Sequence, residues 1–243
     1  MKKNYFLHFA LKYRIFYKIY LFYNLYIRNL KYLLKKSYSQ FEEDLFLKTY
    51  FKNKRDGFFI DIGCHHPFKG NNTYLLYKSG WSGINIDLNQ LGIDLFDIAR
   101  PRDKNICTAI SNKDGFIEYY LPDNNPLSTE ITIERKFSKI LQEHHGNQYE
   151  AFKTKSMTWN SLEDEYKNFF KKIDFFKIDI EGADLKVLKS IDLNKLKVKL
   201  IMIEASNFDS NDRNETINYL NSKNFTILFD NNLNIIFENK NLV

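Results

Sequence analysis

Cysteine is nearly absent: the 243 residues contain two, Cys64 and Cys107. Neither forms a paired metal-ligand spacing, and two alone make no disulfide framework, so a reducing cytoplasm is the expected setting. Prolines number four against a hydrophobic content of 44%, which excludes wholesale disorder. No stretch of 18 apolar residues runs free of charge, so no helix is expected to span a bilayer. The basic N-terminus leads into neither a short uninterrupted apolar core nor a small-residue cleavage site, which argues against a secretory signal. Acids are missing from one region entirely: residues 1–36 hold nine Lys/Arg and no Asp or Glu.

That last absence divides the chain. The formal charge of +6 comes from the N-terminus, because the other 207 residues keep 27 Lys/Arg against 30 Asp/Glu. The same 36 residues carry eleven Phe/Tyr and read as one long helix or two, apolar almost all round. Three readings stay open: a helix packed on the domain or on a second subunit, an interfacial helix drawn to anionic lipid, or a nucleic-acid contact. The last is not expected. The abundance of Lys, Asn, Ile, Phe and Tyr has the look of AT-rich coding, so no single Lys or Asn is given meaning on frequency.

Length suits one α/β domain with an extension. Ser39, with Glu42 at the capping-box position, predicts a helix from Ser39 to about Tyr50. Strands are predicted at about 57–62 and 82–87, with a helix at 72–79 between them and Gly80-Trp81 as the turn. Ile106–Ile110 reads as a third strand, 111–115 as a turn and Phe116–Leu121 as another strand. Residues 122–156 loosen into an insertion placed to cover a substrate, with a loop over 122–126 and a helix over 130–145. Phe175–Ile180 and Leu200–Glu204 read as buried parallel strands around a helix at 183–190. A helix at 211–222 and a hairpin of 225–229 with 235–238 close the chain. Alternation of strand and helix gives a Rossmann-like α/β fold, a mainly parallel seven-stranded sheet ending in an antiparallel hairpin.

The chemistry gathers at strand ends. Asp61-Ile62-Gly63 closes the first strand where open α/β sheets bind ligands, and glycine lets backbone approach a ligand closely. Asp87 closes the second, placed to accept hydrogen bonds from both hydroxyls of an adenosine ribose. Together they make S-adenosylmethionine the leading cofactor candidate. Lys177-Ile178-Asp179-Ile180-Glu181-Gly182 sets two carboxylates two residues apart, able to take a proton from an acceptor hydroxyl or to hold a divalent metal. His65 and His66 follow the first glycine, and one of them is a candidate base or substrate contact. Arg100 and Arg102 could meet an anionic group on the substrate, and Glu204 could orient it. His144-His145, at the end of a helix, is not taken as a site.

In order along residues 37–206, the segments Ser39-Gln40-Phe41-Glu42-Glu43-Asp44, Asp61-Ile62-Gly63-Cys64-His65-His66-Pro67, Asn72-Thr73, Gly80 to Asp87, Arg100-Pro101-Arg102-Asp103, Lys177 to Gly182 and Ile203-Glu204 resemble the FkbM family of S-adenosylmethionine-dependent methyltransferases. The resemblance implies a methyltransferase domain over 37–243, with residues 1–36 as an extension outside it. It implies a methyl donor held at Asp61, Gly63 and Asp87, to which Cys64, Ser111 and Gln40 are added here. It implies O-methylation of a sugar or other small polar acceptor. Cys64-His65-His66-Pro67 departs from the more glycine-rich loop of many methyltransferases.

The expected function is therefore methylation of a hydroxyl on a nucleotide-linked or glycan-bound sugar, in capsule or lipooligosaccharide biosynthesis. The enzyme is expected in the cytoplasm or against the inner membrane, with a homo-oligomer left open. Two alternatives stand beside it. A nicotinamide-dependent oxidoreductase would need Gly-x-Gly-x-x-Gly after the first strand, which residues 61–66 lack. A non-catalytic membrane adaptor would bind no methyl donor.

Overall fold

Phe58–Ile62 is buried at every position, as a strand covered on both faces must be, and forms β1 at the middle of a sheet. The computed structural model describes residues 10, 12–52, 54–123, 125, 128, 130–205 and 210–242. β1 pairs in parallel with β2 (Ser82–Asp87) on one side and β7 (Phe175–Ile178) on the other. β2 continues to β3 (Lys104–Cys107), and β7 to β8 (Leu200–Glu204). The sheet closes with β9 (Phe225–Asp230) and β10 (Asn234–Asn239), in the order β3-β2-β1-β7-β8-β10-β9. Only β10 runs against its neighbours. This is the Rossmann-like outline expected from the strand pattern, a mainly parallel seven-stranded sheet ending in an antiparallel hairpin.

The helices sort onto the faces. α3 (Glu43–Phe51) and α4 (Tyr74–Lys78) touch one another. Leu47 and Leu76 join Phe59, Trp81, Phe175 and Met202 in one apolar layer. The larger layer on the other face runs from Ile60 and Ile84 to Ile201 and Phe237. It takes in α7 (Trp159–Glu165), α8 (Asp184–Lys189) and α9 (Leu193–Leu196). α5 (Gln90–Ala99), with Asn89 as its N-cap, links β2 to β3, and α10 (Ser210–Ser222) precedes β9.

Several elements differ from the sequence expectation. The helix predicted from Ser39 begins at Glu43, because Glu42 adopts φ 66° and breaks the turn. Ser37, the Tyr38 N–H and Ser39 instead converge on the Asp44 carboxylate at 2.6, 2.7 and 2.9 Å. Ile106–Ile110 splits at Thr108: β3 joins the main sheet, and β4 (Ala109–Ile110) joins a second sheet. That sheet, β4-β6-β5, holds β5 (Gly115–Pro122) and β6 (Tyr149–Met157), so the insertion is a β-ribbon with α6 (Arg135–His145) above it. β6 and α5 had no sequence expectation. Of the predicted loop over 122–126, Asn124 and Pro126 lie outside the described residues, as do residues 1–9 of the extension.

In the extension, α1 (Arg14–Tyr23) runs through a π-helical turn at Asn24–Arg28 into the short α2 (Leu30–Leu33). Tyr20, Leu21 and Leu25 pack with Phe68, Leu75, Leu91 and Leu95 of the domain. The Tyr17 hydroxyl donates to Asp94 at 2.5 Å. The segment is thus packed on the domain, one of the three readings its sequence left open. Among the described residues, no helix is long and apolar enough to cross a membrane.

Candidate active site

β1 leads on to β2 and β3 in one direction while β7 and β8 extend the other way, so the sheet reverses its order between β1 and β7. A crevice opens outside the carboxyl ends of the strands at such a point. Here Ile62 stands opposite Ile178, and the Asp179 N–H donates to Ile62 O at 3.0 Å just beyond the last pair. The two chains then pass so closely that a Cβ on Gly63 would lie 1.7 Å from Asp179 O, and Gly63 has φ +77°. Only glycine satisfies both conditions. A cavity of about 610 Å³ extends from this crossing and is lined by Gly63, His65, Asp87, Asp179, Glu181 and Glu204, among others.

Asp87 sits at the end of β2 with each carboxylate oxygen engaged once: Oδ2 by the His65 N–H at 2.8 Å, Oδ1 by the Asn89 N–H at 2.8 Å. A carboxylate has about four lone-pair sites, so capacity for two ribose hydroxyls is left. Burial raises its pKa, with the two N–H bonds acting against that rise. Thr108, Ala109 and Ile110 provide the wall beside it, and Gln40 also reaches the cavity. An apolar slot, a strand-end acid with spare acceptors and a glycine crossing without room for a Cβ together fit S-adenosylmethionine.

Four expected donor or substrate contacts lie off this wall, and a fifth holds it from behind. Cys64 is buried with Ile93 and Phe96 under the first loop, where burial pushes its thiol pKa up. Ser111 faces away, its N–H bonded to Met157 O at 3.0 Å, because β4 turns into the second sheet. Arg100 is fully buried, its Nε on Asp103 at 2.8 Å and Nη1 on Thr73 at 3.0 Å, with Phe59, Tyr77 and Phe96 rings about 5 Å away. Arg102 donates to Tyr77 O at 2.6 Å and stacks on the Tyr77 ring. Asp61 is fully buried beneath the crevice, with Oδ2 2.9 Å from the Thr73 hydroxyl and Oδ1 3.2 Å from Lys177 Nζ.

Lys177 is the residue that sequence reasoning passed over. Lys177 lines the cavity floor, and its ammonium reaches Asp179 Oδ2 at 3.0 Å, Asp61 Oδ1 at 3.2 Å and Gly63 O at 3.2 Å. Burial by itself would lower its pKa; the Asp179 and Asp61 charges outweigh that and raise it. It therefore stays charged and ties β1 to β7 at the switch point. The available signal was a Lys two residues before an acid in an otherwise apolar strand, a position that is costly without partners.

Beyond β7 the chain turns through two left-handed residues, Glu181 (φ 53°) and Gly182 (φ 89°). Thr132 of the insertion donates to Glu181 O at 2.6 Å, and Asp184 accepts the N–H groups of Ile180 and Gly182 at 3.1 Å each. This turn brings oxygens of Asp179, Glu181 and Glu204 within 4.8 Å of one another. Burial first, then the neighbouring carboxylates, raise Glu181 and Glu204 well above the usual range. The same causes lift Asp184 to about 7. Asp179, Glu181 and Glu204 are the residues whose oxygens could hold a cation at this end of the cavity.

The two histidines separate. His65, held at φ 52°, lines the cavity, and burial followed by the Lys69 charge lowers its pKa to about 4, which leaves the ring neutral at pH 7. His66 does not reach the cavity. Its Nδ1 accepts from the Phe68 and Lys69 N–H groups at 3.3 and 3.1 Å, and Nε2 meets Asn24 and Asn29 at 3.3 and 3.4 Å. It is a clasp for the N-terminal segment rather than a base.

The outer wall comes from distant stretches of chain. The extension contributes Tyr32 and Lys35, the insertion Glu130, Phe137, Leu141 and His145, and the terminal hairpin Leu233 and Asn234. Glu130 is fixed by His145 at 2.8 Å, Tyr149 at 3.0 Å and Asn147 at 3.1 Å, so His145, set aside in the sequence, belongs to the site's rim. Glu43 anchors the hairpin by accepting from Asn234 at 2.7 Å and Asn231 at 2.9 Å.

Residues 61–227 match the family described as Methyltransferase FkbM domain. Among solved structures, a TehB-like SAM-dependent methyltransferase from Corynebacterium glutamicum is 13% identical, with a TM-score of 0.44 over 90% of this chain and 96% of that one. An O-methyltransferase from Bacillus cereus in complex with SAH is 10% identical, with a TM-score of 0.39 over 98% of this chain and 92% of that one. No curated protein matches.

Proposed function

Because the chain belongs to the FkbM methyltransferase family and is an S-adenosylmethionine-dependent methyltransferase, we propose that it methylates a hydroxyl of a carbohydrate, either a nucleotide-linked sugar or a sugar of a bacterial surface glycan. The bound cofactor supplies an electrophilic methyl group on a sulfonium. This chain's own residues then have two tasks: to hold an acceptor oxygen in line with that methyl group, and to take its proton.

The observation that carries the reading is the acid cluster facing the same cavity as the donor groups. Asp179, fixed by Lys177 at 3.0 Å, lies beside the Gly63 crossing, and Glu181 and Glu204 stand next to it. Burial and like charge raise the pKa of Glu181 and Glu204, so each holds a proton more readily than an ordinary carboxylate once it has taken one up. His65, neutral at pH 7, is a second acceptor on the same wall.

A sugar suits the remainder of the cavity, with Glu130, Glu204 and Asn234 as hydrogen-bond partners for hydroxyls and Phe137 as an apolar face. Arg100 and Arg102 give up the anion-binding role to Lys35 and Lys69. Both line the cavity, with their ammonium groups 5.0 and 5.8 Å from the Tyr32 ring. An acceptor bearing phosphate or carboxylate would find its charge partners there.

The three clustered carboxylates also support a second reading of the proton step, in which a divalent cation lowers the acceptor's pKa. Loss of activity on chelation, restored by Mg²⁺ or Mn²⁺, would favour it. The function is tested by a screen with labelled methyl donor over nucleotide sugars, surface oligosaccharides, catechols and small acids. Label in a sugar class is expected, and label confined to non-sugar acceptors would refute the proposal.

A further inference from the structure

We propose that the N-terminal segment docks the enzyme on an anionic lipid bilayer through the solvent-facing apolar side of α1 and the turn that follows it. The segment has two apolar sides, and among the described residues the domain covers one of them. Tyr20, Leu21 and Leu25 face inward, and Asn24 and Asn29 reach His66. On the outer side Ile15, Ile19, Phe22, Tyr26 and Leu30, spaced by four, three, four and four, are all exposed. Ile27 and Leu34, beside that row, are 68% and 79% exposed. Scattered exposed apolar residues are ordinary; a continuous row along a surface helix, where polar residues belong, marks an interaction face.

Charge selects the occupant. Every formally charged residue between 12 and 36 is Lys or Arg, seven in all, and each is exposed. A bilayer with anionic headgroups accepts both the apolar row and the basic flanks. A second copy of the chain would bring seven like charges against seven. A polyanion such as nucleic acid would leave the apolar row in water. With no described helix long enough to span, the segment lies in the plane of the interface. Tyr32 and Lys35 belong to the same stretch and wall the cavity, so docking sets the acceptor side of the site beside the membrane.

The test uses the full chain, co-sedimented with vesicles of phosphatidylcholine alone or mixed with phosphatidylglycerol. Binding to the mixed vesicles is expected, weaker by about tenfold on neutral ones and falling with added salt. Ile19→Glu/Phe22→Glu should lower binding by about tenfold while circular dichroism and affinity for S-adenosylhomocysteine stay as in the parent. Arg14→Glu/Lys18→Glu tests the electrostatic part without placing charge on the apolar row. Equal binding to both vesicle types, or binding indifferent to both double variants, overturns the proposal. So does a wild-type dimer that Ile19→Glu/Phe22→Glu converts to monomer with no vesicle binding in either form.

Discussion

The two sides of the cavity are built differently. The donor side rests on adjacent strands of one sheet. Gly63 follows β1 and Asp87 ends β2, and Lys177 locks β1 to β7 by contacts of 3.0 to 3.2 Å. The acceptor side is assembled from the extension, the insertion and the terminal hairpin, held by side-chain contacts such as Thr132 on Glu181 and Glu43 on Asn234. A binding surface fixed by strand register tolerates almost no change. One assembled from separate segments can be altered piece by piece, which suits the side that must recognise a particular acceptor.

The largest expected effect is on the donor side. Gly63→Val places a β-branched residue at φ +77° with its Cβ 1.7 Å from Asp179 O. The variant should lose on the order of 4 kcal/mol of stability and all measurable donor binding. Denaturant unfolding and calorimetry check both, and a variant that keeps parental stability would show that the crossing is looser than described. Lys177→Met should come next. It leaves Asp61 buried beside an apolar group, at a cost of about 3–5 kcal/mol in urea unfolding. A neutral outcome would mean the ion pairs are not what joins β1 to β7.

Phe137→Ala, on the acceptor side, should be the mildest. The ring lines the cavity from α6 and sits over Gly182, so its loss should raise the acceptor KM about tenfold, about 1.4 kcal/mol. Donor affinity should stay put. An equal loss of donor affinity would erase the distinction between the two sides.

The same distinction explains what could be read from the chain. Asp61-Ile62-Gly63, Asp87 and Asp179 are legible because a short apolar run ending in an acid reports a strand end directly, and strand ends meet at the crevice whatever the loops do. Lys177 was missed because a strand lysine is meaningful only once Asp61 stands opposite it in the sheet register. Arg100 was misplaced because sequence cannot show that Phe59, Tyr77 and Phe96 close around it. His66 stood level with His65 as a candidate base or substrate contact until Asn24 and Asn29 supplied its contacts from about 40 residues away. β6 was hidden because its outward residues are exposed on a ribbon, leaving little apolar alternation to detect.

Asp179→Asn gives the most direct test of the central claim, that the acids beyond β7 act on the acceptor while the β1 and β2 ends hold the donor. Turnover of an acceptor found with labelled methyl donor and affinity for S-adenosylhomocysteine should be measured on the same preparation. Turnover should fall by about 10²–10⁴ with donor affinity nearly unchanged. Parental turnover, or a donor affinity that falls in step with turnover, would contradict the account.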